Sequence, residues 1–272
     1  VSAMTEAEYR ALPGVSGTAI ADLLRSPAIY AWKRANPTEA TPSMLLGTLV
    51  HAFVLDQPRT FAANLHDYKT ERAAWEARRK EIVSLGHTPV PGDVWREAAA
   101  IAEAVTEHPD AAALLALPGE SEWVVTWDEN GTPCKGRIDR LAESANGPLV
   151  IDLKTTRSLD GFDKSIGEYG IHCQTMHYWR GVAAERGIEP PLPLLIAVET
   201  SAPYRVQVVR LSAADAAQGN AACVAAYRVW RDCTDANSWP SGLPDGVTES
   251  NIPSWAARAW DARIDRVGGI GQ

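Results

Sequence analysis

The sequence predicts one α/β domain over residues 4–272, with a helical N-terminal lobe ahead of a sheet. Three observations carry this. Helical periodicity dominates to about residue 118. A two-residue alternation takes over near Glu122 and recurs, between helical patterns, to about residue 235. The segment 236–272 is rich in Pro, Gly and Trp and reads as irregular packing over the core. Helices, a hairpin-led sheet and further helices are the order expected of an α/β domain.

Taken in order, Ser16 can cap a short helix through Leu24, because its hydroxyl can accept from an early orphan N–H. Ser26-Pro27 repeats the start signal, with Pro at the first helical position. The run Ser43–Leu55 is apolar nearly all round, which predicts a buried helix. Glu71–Leu85 and Asp93–His108 read as amphipathic helices, the first made locally basic by Arg72, Arg78, Arg79 and Lys80. From Glu122 to Asp128, Trp123, Val125 and Trp127 share one strand face, and Glu122, Thr126 and Asp128 lie opposite. Asn130-Gly131 is a hairpin turn signal, and Lys135–Leu141 can return as the partner strand. Asn146-Gly-Pro148 then turns the chain into Leu149–Lys154. Helical patterns follow at 161–169 and 172–186, strands at 194–200 and 204–211, and a long helix from Ser212 to about Arg231.

Charge and composition narrow the function. Twenty-six Lys and Arg against 34 Asp and Glu give −8, which argues against a protein that coats nucleic acid by bulk charge. It leaves room for an enzyme with a local basic groove. No apolar run approaches the roughly 18 residues of a membrane span. The first residues show no basic region followed by an apolar stretch, so secretion is not expected. Cys134, Cys173, Cys223 and Cys233 form no Cys-x-x-Cys pair, which argues against zinc and against an iron–sulfur cluster. They read as reduced, partly buried thiols of a cytoplasmic protein. Ten Trp against three Phe is an unusual balance, and most of the Trp are expected in the core or at interfaces.

The chemistry concentrates around Val150-Ile-Asp152-Leu-Lys154. On a strand, Asp152 and Lys154 point to one face, and Ile151 and Leu153 to the other. A carboxylate and an ammonium on an otherwise apolar strand are costly to bury unless they are paired or bound. Read alone, they are an ion pair near a strand end. Asp139, thirteen residues earlier on the neighbouring strand, changes that reading. Two carboxylates brought together repel, and a divalent cation resolves the repulsion by taking oxygens from both. A lysine two residues past the second carboxylate can then orient or deprotonate water, or stabilise charge on a phosphate. Upstream, His51 sits in an apolar helix with Gly47 one turn before it, leaving room beside the ring. A core histidine bonded to backbone is the plain alternative. Downstream, Gln174 and Tyr178 share a helical face and can hydrogen-bond a phosphate or the lysine.

Gly47-Thr-x-x-His51, Ile138-Asp139, Ile151-Asp-Leu-Lys-Thr-Thr156 and Gln174-x-x-x-Tyr178, in that order, resemble the RecB-type branch of the PD-(D/E)xK nuclease superfamily. More closely, the chain resembles the RecE-like exodeoxyribonucleases of phages and prophages (the exonuclease VIII type). Further matching stretches include Gly14–Thr18, Ser26–Tyr30, Leu55–Pro58, Tyr169–Gln174 and Val198–Tyr204. The resemblance implies a restriction-endonuclease-like core, a mixed central sheet flanked by helices. It implies metal ligation by His51, Asp139, Asp152 and the Leu153 carbonyl, with Glu122 at a matching acidic position at the start of the first strand. Lys154 becomes the catalytic lysine, and Gln174 and Tyr178 organise the site. One departure stands out: Ile138 replaces the proline that gives the motif its name, a residue that shapes backbone and supplies no ligand. Arg157, Arg78 and Arg79 are candidate phosphate contacts, although most of the basic helix reads as a solvated face.

The resemblance thus implies a Mg2+-dependent exonuclease, with Mn2+ able to substitute. Its substrate is linear double-stranded DNA, degraded 5′ to 3′ to mononucleotides, with the exposed 3′ strand passed to a RecT-like annealing protein in recombination. The expected setting is the bacterial cytoplasm. A homo-oligomeric ring is expected, because at −8 a monomer has little long-range hold on a polyanion, and the resemblance implies a tetramer ahead of a trimer. The competing readings are a RecB-like nuclease of other polarity, which the missing cysteine cluster disfavours, and a catalytically idle DNA-binding module. A scaffold has no physical need for clustered carboxylates.

Overall fold

A computed structural model describes residues 4, 6–37, 41–56 and 60–268. Gln57 and Pro58, quoted above within Leu55–Pro58, lie outside the described residues.

The chain opens with α1 (Glu6–Ala11), α2 (Ala19–Arg25) and α3 (Pro27–Ala35). Ser26 caps α3 as expected, its hydroxyl accepting from the Ile29 N–H at 3.4 Å. Ser16 does not cap α2. Thr18 occupies that position without a side-chain cap, and the Ser16 hydroxyl lies 3.2 Å from that of Thr18. In α4 (Pro42–Val54) the Thr41 hydroxyl accepts from Met44 N–H. The apolar run predicts a buried helix, yet only Leu49 and Val50 are fully buried, and Met44 is 53% exposed. The reason is that α4 packs on a later helix and on the end of a strand, which cover only part of its circumference.

Next come β1 (Phe61–Asn64), α5 (Arg72–Ser84), β2 (Thr88–Pro91), α6 (Gly92–Glu107) and α7 (Pro109–Leu115). β1 and β2 form a small parallel pair. The sequence reading missed both, since four residues each, two of them Pro in β2, carry no legible alternation.

The main sheet follows: β3 (Gly119–Glu129), β4 (Thr132–Ser144) and β5 (Gly147–Thr156), then α8 (Phe162–Glu168), α9 (Ile171–Arg186), β6 (Leu194–Glu199), β7 (Val206–Arg210) and α10 (Ala213–Asp235). Its order is β3-β4-β5-β6-β7. β5 and β6 are parallel and the other pairs antiparallel, so α8 and α9 form the crossover that a parallel pair requires. The Asn130-Gly131 turn has both residues at positive φ, matching its hairpin signal. Ser212 caps α10 by accepting from Asp215 N–H at 3.1 Å.

Apolar side chains cover both faces of the sheet. Ile151, Leu153, Ile196 and Val198 pack with Leu49, Ile101 and Val105. Val125, Ile138, Leu141 and Val150 meet Tyr178 and Val182 of α9. Cys134, Cys173, Cys223 and Cys233 are buried free thiols. The Trp expectation holds in part. Trp127, Trp179, Trp230 and Trp239 pack against the core, whereas Trp32, Trp255 and Trp260 are more than half exposed.

The described chain divides into two compact units, one ending at Ser241 and the other beginning at Gly242. The tail is not irregular throughout, because α11 (Ser254–Gly268) is a regular helix. The Pro- and Gly-rich run ahead of it masked an amphipathic pattern of Trp260, Ile264 and Val267 spaced by four and three residues.

Candidate active site

The site lies where β4 and β5 part. Their ladder runs from Ser144↔Gly147 to Arg140↔Ile151 and stops one pair short of Asp139 and Asp152. The alternation of β4 also shifts phase here: Ile138 and Leu141, three apart, both join the cluster against α9. Asp139 sits at that shift. The Leu153 N–H, which has no β4 carbonyl to meet, donates to Asp139 Oδ2 at 2.7 Å. In an extended strand the N–H and C=O of one residue point to the same side, so the Leu153 carbonyl also turns toward this gap.

Three elements converge on Asp139. Nδ1 of His51, near the end of α4, lies 3.5 Å from Asp139 Oδ2. Glu122 faces Asp139 across the β3–β4 ladder, at a position the pairing skips, with a left-handed φ of 53°. Such a backbone is uncommon for a side chain like glutamate and persists only where its surroundings hold it. Ligand atoms of His51, Glu122 and Asp139 all lie within 4.8 Å of one another. Asp152 stands beside this group and outside its tight triad. It is 1% exposed, with Lys154 Nζ 2.5 Å from its Oδ2, yet neither carboxylate oxygen makes a hydrogen bond of ordinary geometry.

The charges bias one another. Burial pushes Asp152 upward more than Lys154 pulls it down, so its net shift is up. Burial acts against charge on Lys154, but Asp152 and Asp139 outweigh it and raise the ammonium's pKa. Burial likewise opposes ionisation of Asp139, but His51, Lys154 and the Leu153 N–H hold it below its ordinary value. For His51, burial works downward and Asp139 upward, and the net direction is up. One imidazole and three carboxylates, the third being the buried Asp152 with an unbonded Oδ1, fit a divalent cation that takes oxygen ligands.

Gln174 and Tyr178 come together as their spacing predicts, Gln174 Nε2 donating to the Tyr178 hydroxyl at 2.9 Å. Burial, then Asp152 and Asp139, push the phenol well above its ordinary pKa, so it stays protonated. Gly17 makes this packing possible: a Cβ there would stand 2.9 Å from Gln174 Cγ and 3.2 Å from a Tyr178 ring carbon. Gly47 corrects an expectation. The space beside its helix is filled by Thr155, whose hydroxyl would lie 3.2 Å from an added Cβ, so this glycine seats α4 on β5.

Arg157 is exposed just beyond β5. Arg78 pairs with Glu81 at 2.8 Å, and Arg79 is exposed on α5, the helix beside the β1–β2 pair. The sequence reading missed Arg137, whose Nε lies 2.8 Å from Glu122 Oε2. Its place two residues before Asp139 was the available signal.

A family model described as "PDDEXK-like domain of unknown function (DUF3799)" matches residues 16–242. The chain belongs to this family. No curated protein matches it. Among solved structures it is similar to a candidate exonuclease from Eubacterium rectale, at 12% identity and a TM-score of 0.56, over 90% of this chain and 92% of that one. A phage-related exonuclease from Haemophilus somnus 129PT aligns at 10% identity over 83% of this chain and 97% of that one, with a TM-score of 0.37. The PDDEXK-like fold is therefore shown by the family match and the first of these structures, in agreement with the resemblance read from the sequence. Among the described residues no helix is long and apolar enough to cross a membrane.

Proposed function

We propose that the protein is a Mg2+-dependent exodeoxyribonuclease that degrades linear double-stranded DNA 5′ to 3′, releases mononucleotides and exposes 3′ strands for phage-type recombination. The observation that carries this reading is the buried Asp152 carboxylate, paired with Lys154 through Oδ2 and with no hydrogen-bond partner at Oδ1, beside the His51–Glu122–Asp139 group. A purely structural domain gains little from gathering three carboxylates where one lysine offsets the desolvation only in part. The name of the Eubacterium rectale protein agrees with exonuclease activity.

A divalent cation bound here would polarise the scissile phosphate and neutralise developing negative charge. His51, Glu122, Asp139, Asp152 and the Leu153 carbonyl are its proposed holders. Lys154, whose raised pKa keeps it cationic at neutral pH, orients the attacking water through its N–H donors and offsets charge on the phosphate. That direction favours an electrostatic role for the lysine over proton abstraction. The protonated Tyr178 phenol, held by Gln174, serves as a donor on the α9 side. Arg157, Arg78 and Arg79 are proposed contacts to the DNA backbone. The further proposals are a RecT-like annealing partner, action in the bacterial cytoplasm and a homo-oligomeric ring.

The test is digestion of blunt linear duplex, labelled at either 5′ or 3′ ends, beside a closed circular control, with Mg2+ and then with EDTA. Early release of labelled mononucleotide from the 5′ end alone, dependent on Mg2+ and absent from circles, is expected. Cutting of circles, or release from the 3′ end first, overturns the reading.

A further inference from the structure

We propose that Arg137 is a positioning residue that holds the Glu122 carboxylate in the cation-binding group, and that Tyr9 fixes Arg137. The proposal rests on the functional reading above, in which Glu122 is one of the cation's holders. Tyr9 lies in α1, upstream of residues 16–242 matched by the family model.

Glu122 cannot be aimed by regular strand geometry, because its φ of 53° takes it out of the β3–β4 ladder. The Arg137 guanidinium, on the partner strand, lies 2.8 Å from its Oε2. Both side chains are about three-quarters buried, at 27% and 23% exposure. An exposed ion pair would hold little, but a partly buried planar guanidinium fixes a carboxylate's direction as well as its distance. The guanidinium in turn rests against an aromatic face, with Arg137 Cζ 5.0 Å from the Tyr9 ring centroid.

Tyr9 is itself held. Lys135, two residues before Arg137 and 7% exposed, donates its ammonium to the carbonyls of Tyr9, Arg10 and Leu12 at 3.1, 3.1 and 2.6 Å. Tyr9 and Arg10 lie in the last turn of α1 and Leu12 just beyond it, and the Tyr9 carbonyl also accepts from the Leu12 N–H at 3.2 Å. The same ammonium lies 5.1 Å from the Tyr9 ring centroid. A buried lysine thus pins α1 to β4, α1 presents Tyr9, Tyr9 backs Arg137, and Arg137 aims Glu122. This gives α1 a role in the site although it touches none of the other proposed ligands among the described interactions.

The test measures Mn2+ affinity of the full-length protein by titration calorimetry, with folding checked by circular dichroism and thermal melting. Arg137→Gln should weaken Mn2+ binding by about 10- to 100-fold, the usual effect of losing a residue that orients a ligand. Tyr9→Ala should weaken it in the same direction, Tyr9→Phe should restore it by keeping the ring, and Tyr9→Ala should add nothing in an Arg137→Gln background. Arg137→Lys, which keeps the charge but loses the planar fork, should also bind more weakly and serves if Arg137→Gln fails to fold. Unchanged or tighter binding by the Arg137 variants overturns the proposal, since removing a mere counter-charge favours a cation. Additive losses from Tyr9→Ala and Arg137→Gln overturn the link through Tyr9. Absence of Mn2+ binding by the unaltered protein, or its persistence in Asp139→Asn, refutes the site reading itself and so is distinguishable from failure of this inference alone.

Discussion

Acidification should loosen the helix that carries Gln174 and Tyr178, and His177 sets the pH at which this happens. Its ring is 0% exposed. Nε2 lies 3.0 Å from the Lys135 carbonyl, which can only accept, so Nε2 carries the proton. Nδ1 then accepts from the Tyr227 hydroxyl at 2.8 Å. A second ring proton would displace that bond and add a buried charge. Burial first, and the nearby Arg180 with it, push the pKa down to about 4 from 6.5, although the Lys135 carbonyl pulls the other way. Between those values the unfolded chain binds the proton and the folded one does not. Stability is therefore complete above about 6.5 and is lost as pH falls toward 4. Two-state linkage with these values gives a loss of about 2 kcal/mol between pH 7 and pH 5, approaching about 3 kcal/mol in stronger acid. Urea unfolding of the wild type and His177→Gln at both pH values checks this, because groups that titrate alike in both chains cancel in the difference. The wild type should lose about 2 kcal/mol more than the variant. Equal losses would refute the assignment of a neutral, buried imidazole.

The remaining expectations concern the site and the assembly. Asp139→Ala and Asp152→Ala should each lower nuclease activity more than about 100-fold with an unchanged dichroism spectrum, and near-normal digestion by either would remove it from the site. Lys154→Ala should still bind Mn2+ in calorimetry while losing turnover, and lost Mn2+ affinity would instead mark the lysine as structural. His51→Ala should weaken Mn2+ binding about 10-fold or more; in the intact protein, protons should compete for the imidazole from above pH 6.5, because Asp139 raises its pKa. Unchanged affinity with a lowered melting temperature would make His51 a core residue. Light scattering should return three or four times 29.4 kDa, and a monomer that still digests long duplex processively would refute the argument from net charge.

What the sequence determined by itself was local. The alternation through Trp123, Val125 and Trp127, the Asn130-Gly131 turn, the Ser26 and Ser212 caps and the i, i+4 pairing of Gln174 with Tyr178 each follow from forces acting within a few residues. So does the division of β5 into Ile151 and Leu153 on the core side and Asp152 and Lys154 on the other. Tertiary structure decided what those residues face. Only packing brings His51, Glu122 and Asp139 within 4.8 Å, and the means are non-periodic: a ladder that stops early, a phase shift in β4 and one left-handed glutamate. Thr155 filling the space at Gly47, and Tyr9 backing Arg137 across more than a hundred residues of chain, leave no periodic trace either. The upward shift of Asp152 likewise comes from desolvation by the assembled fold, a quantity that depends on every neighbour and belongs to no short stretch of sequence.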